Sequence, residues 1–215
     1  MKDSSIILYN ELFIRYPQLK SCREPLLHAI EKLISCFSND RKLLICGNGG
    51  SAADAAHIVG ELMKSFMLRR PVKDVFREKL LEMYPEYAAK IADNLQGALP
   101  AIALTQENAL LSAFANDVDP ELVYAQQVYG YGKKGDVLLC ISTSGNSQNI
   151  VSAAVVAKAK ELFTIALTGE NNSRLSALCD LSIQVPGTEP YKIQELHLPL
   201  YHCLCAILEQ EFFET

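Results

Sequence analysis

The sequence predicts an α/β fold in three layers, with helices covering both faces of a five-stranded parallel sheet. Five short apolar or β-rich runs, Leu43–Cys46, Ala101–Leu104, Val137–Ile141, Phe163–Leu167 and Leu181–Val185, are separated mostly by segments of helical character such as Ile150–Glu161. The first run is too brief for a helix and apolar throughout, as a strand buried on both faces must be. Ligands of such sheets bind in loops at the carboxyl ends of strands, where Gly47–Ser51, Ser142–Ser147 and Thr168-Gly169 fall.

Residues 1 to about 38 read as helix. Leu26, Leu27, Ile30, Leu33, Ile34 and Phe37 mark an apolar face, Pro25 sits in a first turn, and Pro17 marks a break before it. This section precedes the first strand, so it is no sheet crossover and should pack on the core or on another subunit. The segment Val72–Gly97, within an insert spanning 72–99, is charged and aromatic. Pro85 divides it into two helices, and Leu80, Tyr84, Tyr87, Ile91 and Leu95 form a stripe at helical spacing. It reads as an extra hairpin packed on the body in preference to a substrate lid.

Length and composition bound the function. At 215 residues and 49% apolar content, one domain over 1–215 is the simplest count. A net charge of −5 gives no basic footprint for nucleic acid. Seven cysteines, an odd number without C-x-x-C pairs, read as reduced core thiols of a cytoplasmic protein. The first residues, MKDSSIILYNELF, are no signal peptide, and no apolar stretch approaches membrane-spanning length.

The chain is organised around Lys42–Leu62, KLLICGNGGSAADAAHIVGEL. A strand leads into three glycines, which bring backbone N–H groups close to a ligand. Ser51 reads as the N-cap of an alanine-rich helix. Unpaired N–H groups and the dipole at such a helix start accept polar or anionic ligands. Within the helix His57 and Glu61 stand four residues apart on one face. That spacing suits a shared metal, one residue orienting the other for proton transfer, or an ordinary surface pair. The second loop, Ser142-Thr143-Ser144-Gly145-Asn146-Ser147, places four hydroxyls after a buried strand and before a helix. Such a set of neutral donors suits a phosphate dianion.

With GNGGSAADAAHIVGEL, ISTSGNSQNI and IQELHLPLYH in this order, the chain resembles the sugar isomerase (SIS) family of phosphosugar-binding domains, over nearly its whole length outside the insert. It is most similar in pattern to members that interconvert sedoheptulose 7-phosphate and D-glycero-D-manno-heptose 7-phosphate through an enediol(ate). The resemblance implies a flavodoxin-like SIS fold, a phosphorylated sugar as ligand and a homotetramer. It implies that Asn48, Gly49, Gly50 and Ser51 contact the sugar, with Asn116 and Asp117 as a second contact, and that Ser142, Thr143, Ser144 and Ser147 cradle the phosphate. It also implies zinc (Zn2+) held by His57, Glu61, Gln194 and His202. Gln194 doubles as a substrate contact, and Glu61 and His202 double as the acid–base pair. These isomerases usually carry an arginine after the glutamate; Ser65 stands there, beside Lys64, so the sugar is less determined than the reaction class.

Gln194 and His202 lie eight apart, about 12 Å along an ideal helix and roughly 80° around it. Sharing one ion therefore needs extended side chains or a bend, which Pro199 could supply, and two sites in neighbouring subunits are the alternative. Tyr201 lies nearer the face of Gln194. His197, three residues after Gln194, is an alternative ligand or proton carrier, His28 reads as structural, and Asp54 as a first-turn helix acid. The stretch PAIALTQENALLSAFANDVDPELVYAQQV, 100–128, is similar to non-enzymatic SIS proteins that bind the replication initiator DnaA. Those lack the glutamate and the final histidine, whereas Glu61 and His202 are present, which favours an enzyme. A phosphosugar-sensing module without turnover is the third reading, disfavoured by the absence of an attached DNA-binding segment.

Overall fold

The computed structural model describes residues 1–214. The five strands are β1 (Leu43–Gly47), β2 (Ala101–Ala103), β3 (Val137–Ile141), β4 (Phe163–Gly169) and β5 (Leu181–Val185). They pair in the order β2-β1-β3-β4-β5, all parallel. Five expected runs are five observed strands, with ends shifted by at most two residues.

Alternation along each strand divides the core. Leu43 and Ile45 of β1 face one layer; Leu44 and Cys46 face the other. The first layer contains α1 (Asp3–Arg15), α2 (Arg23–Ser38), α3 (Gly50–Met63) and the long α10 (Pro190–Phe213). The second contains α7 (Val123–Tyr131) and α8 (Gln148–Ala159), with α6 (Asn108–Asp117) and α9 (Arg174–Leu178) beside them. The N-terminal helices pack on the core, α1 against α10 through Tyr9 and Leu12, with a 3₁₀ turn at Pro17–Cys22. His28 lies against Phe163, a packing role. Pro199 does not break α10, which runs through it.

The insert is a hairpin of α4 (Asp74–Met83) and α5 (Pro85–Asn94), rooted by a bridge between Pro71 and Gln96. Its stripe is a correction. Tyr84, Tyr87, Ile91 and Leu95 are exposed, and the buried residues of α5 are Ala88 and Ala92. Among the helices, α5 packs chiefly on α4, and the face it buries is the one of small residues, offset from the face of large ones.

Asp136 ties the starts of β1 and β3, and so the loops at their far ends. Its carboxylate accepts from the Lys42 and Lys133 amides, at 3.1 and 2.8 Å, and from the Lys42 ammonium. Asp136→Ala leaves these donors without their acceptor and is expected to cost about 3 kcal/mol in a urea titration. An unchanged midpoint would show that the starts of β1 and β3 do not depend on it.

Candidate active site

Strands β1 and β3 are neighbours whose helices leave toward opposite faces, so their carboxyl ends open a crevice. The loops bounding it are bonded to each other. Asn48 donates to the Asn149 side-chain oxygen at 2.9 Å, and Asn149 donates back at 3.0 Å. The buried Tyr124 hydroxyl donates to the Gly47 carbonyl at 2.7 Å and lies 3.2 Å from Asn48 Oδ1. Burial pushes that phenol up to about 12, so it stays a donor. Asn149 stands inside the quoted motif, but only the fold reveals it as the partner of the first loop.

Helix α3 starts two residues earlier than the sequence implies. Gly49, with φ +56°, occupies the cap position, and Ser51 is buried in the first turn. The positive φ is one that side chains other than glycine resist. Gly50 is closely covered: a Cβ there would lie 2.5 Å from the Gln194 amide nitrogen. Gln194 is thus placed at the first loop.

In the second loop the buried Ser142 hydroxyl accepts from the Gly145 amide at 3.2 Å and lies 3.5 Å from the Ser147 hydroxyl. Gly145 has φ +65°. Ser144 accepts from the Asn146 amide at 3.2 Å, and Ser147 occupies the cap position of α8 without a side-chain cap bond. Thr143 and Ser144 border a cavity of about 170 Å³ that reaches Gly169 and Gly187. The hydroxyls and the start of α8 therefore sit together, as anion binding requires.

A second group gathers at the other end of α3. His57 Nε2 lies 3.2 Å from Glu61 Oε1, and the His202 ring is 4.9 Å, centre to centre, from the His57 ring. Glu61 is buried and its other oxygen is 3.3 Å from the Lys64 ammonium. The Tyr201 hydroxyl bridges His57 Nδ1 at 3.1 Å and Asp54 Oδ1 at 3.2 Å. Asp54 is accordingly a site carboxylate; burial raises its pKa, and Oδ2 is buried without a partner. Burial and the neighbouring His57 hold His202 below the usual histidine range, and its Nε2 is also buried and unpartnered. Among the described residues, no three His, Cys, Asp or Glu side chains are gathered closely enough to hold a metal ion. The donor chemistry of His57, Glu61 and His202, with the orphaned Nε2, nonetheless fits a zinc ion.

Two expectations fall elsewhere. Asn116 and Asp117 are exposed at the end of α6, where Asn116 donates to Asp117 at 2.8 Å and neither bonds to the two loops. His197 is fully buried, with Nε2 3.4 Å from the Thr168 carbonyl, so it is a core histidine and neither a ligand nor a proton carrier at the site.

The fold and loops define a SIS-domain protein. The family model described as "SIS domain" matches residues 17–76 and 79–169. Phosphoheptose isomerase 2 of Campylobacter jejuni is 39% identical over 182 residues, 85% of this chain and 78% of that protein. The phosphoheptose isomerase structure from Neisseria gonorrhoeae superposes with a TM-score of 0.72 at 33% identity, covering 96% of this chain and 94% of that one. The Francisella tularensis phosphoheptose isomerase gives 0.70 at 32%, with 97% and 94% covered. The chain belongs to the SIS family and, within it, to the phosphoheptose isomerases. These relatives favour the enzymatic reading over initiator binding.

Burial lowers His197 from 6.5 to about 4, so the folded protein keeps it neutral where the unfolded chain is protonated. Its contribution is complete above pH 6.5 and is lost as pH falls toward 4. Stability is expected to drop by about 2 kcal/mol between pH 7 and 5 from this residue. Urea titrations at both pH values should show a smaller drop for His197→Leu; an equal drop would refute the assignment.

Proposed function

We infer that this protein interconverts sedoheptulose 7-phosphate and D-glycero-D-manno-heptose 7-phosphate. The observation that carries the reading is the separation of two chemistries along α3. Phosphate-type donors surround its start, and a buried carboxylate with two imidazoles stands about 16 Å along the axis, measured between backbones. An elongated sugar with phosphate at one end and carbonyl at the other matches that polarity.

Glu61 removes the proton from the carbon next to the carbonyl and returns it to the neighbouring carbon, so the electron pair passes through an enediol(ate). His202, held neutral by burial, moves the proton between the two oxygens or assists ring opening. Asn48, Gly49, Gly50, Ser51 and Gln194 orient the sugar, and Ser142, Thr143, Ser144 and Ser147 hold the phosphate. Zinc held by His57, Glu61 and His202 would supply Lewis acidity at the sugar oxygens. Gln194, expected as a fourth ligand, lies against Gly50 at the start of α3 and stands with the sugar contacts in this chain. Seven free cysteines agree with a cytoplasmic setting.

Glu61→Gln is expected to lower turnover of sedoheptulose 7-phosphate at least a thousandfold while phosphosugar binding persists. Turnover near wild type would remove Glu61 as the base. Zinc stoichiometry by elemental analysis, and a thermal shift on chelation, test the metal without relying on activity.

The homotetramer is supported by α1, where Ile6, Ile7 and Ile14 are exposed, and by Asn116 and Asp117, which stand free of the loops. Light scattering on purified protein should give four copies; a monomer active at assay concentration would refute this arrangement.

A further inference from the structure

The best-satisfied buried charges in the molecule lie outside the substrate loops. Arg70 and Glu209 are both fully buried, with Arg70 Nε 2.6 Å from Glu209 Oε1. Glu209 also accepts three successive backbone amides: Phe66 at 2.8 Å, Met67 at 2.7 Å and Leu68 at 3.0 Å. The remaining guanidinium nitrogens donate at 2.9 Å to the carbonyls of Leu62 and Glu61. Those carbonyls belong to the last turn of α3, which has no cap bond of its own. A cation there also favours the negative end of the helix dipole.

The pair thus joins the residue proposed as base to the helix carrying its partner. Glu209 is seven residues beyond His202 on α10, two turns along nearly the same face. Phe66, whose amide Glu209 holds, lies 5.6 Å from the His202 ring. A buried ion pair is weak evidence for stability, since an apolar pair of similar volume often serves as well. What that apolar pair would lack is the fork that grips Glu61 and Glu209 together.

We propose that Arg70 and Glu209 are positioning residues for the isomerisation, fixing the end of α3 that carries Glu61 against the face of α10 that carries His202. This rests on Glu61 and His202 being the acid–base pair. The test is the double variant Arg70→Met/Glu209→Leu, which removes both charges and leaves neither unpaired. The Phe66, Met67 and Leu68 amides lose their acceptor, so it is expected to melt below wild type. At a temperature where it remains folded, KM should stay within about twofold and kcat should fall at least tenfold. Hydrogen exchange at amides 61–63, measured without substrate, should quicken at least tenfold while α8 is unchanged. Wild-type kcat in the folded double variant, or unchanged exchange at 61–63, would overturn the proposal. If the double variant does not fold, Arg70→Lys serves: it keeps the charge but loses the fork, so kcat should fall without KM. Glu61→Gln with retained turnover would instead defeat the reading of the base, while the exchange experiment still decides the clamp.

Discussion

Two parallel strands lying side by side, β1 and β3, send their helices to opposite faces, and the loops leaving them cannot close over one another. The rest of the site follows from that gap. Backbone amides at the starts of α3 and α8 are left without intrahelical partners there. Glycines at 49 and 145 with positive φ turn the chain. Asn48 and Asn149 close the space between the loops by bonding across it. Asp136 fixes the opposite ends of the same two strands, so the width of the crevice is set from both sides.

The helix leaving β1 carries the site from anion binding to proton transfer. Its first turn lies under Gln194 of α10, and its last turns present His57 and Glu61 to Tyr201 and His202 of the same helix. α3 and α10 therefore act as two rails, gripped at one end by the Gly50–Gln194 contact and at the other by Arg70 and Glu209. This resolves the distance between Gln194 and His202 that α10 imposes. The two residues meet different parts of α3.

The strands, the two loops and the His57–Glu61 pair were legible because each is a local pattern: an apolar run, glycines before a helix, an i,i+4 spacing. The cap was misplaced because serine's capping preference is a local tendency, overridden by the conformation of Gly49. The insert's packed face was misread because the period locates an apolar stripe but does not say what covers it, and the residues α5 buries are Ala88 and Ala92. His197 looked like a site residue because it follows Gln194 by three; only the position of β4 shows its nitrogen at the Thr168 carbonyl. Tyr124, Tyr201 and Glu209 act through partners from 76 to 147 residues away. No pattern in a window of sequence carries such pairings.

Ser65 occupies the position where the isomerases of this family usually carry an arginine. Its amide donates to Gln96 at the root of the insert, at 2.7 Å, and Lys64 beside it reaches both the Ser65 carbonyl and Glu61. The cation nearest the base is therefore a lysine on the surface, and the segment holding it is anchored by residues on both sides of the insert. Gly97 donates to the Arg70 carbonyl at 2.8 Å, and the Arg70 guanidinium lies over the Phe213 ring. Insert, lysine and buried arginine form one connected structure on the α3 side of the site. A change in the insert root would reach Glu61 through the backbone it shares with Arg70, and the hydroxyl cradle at α8 would be spared.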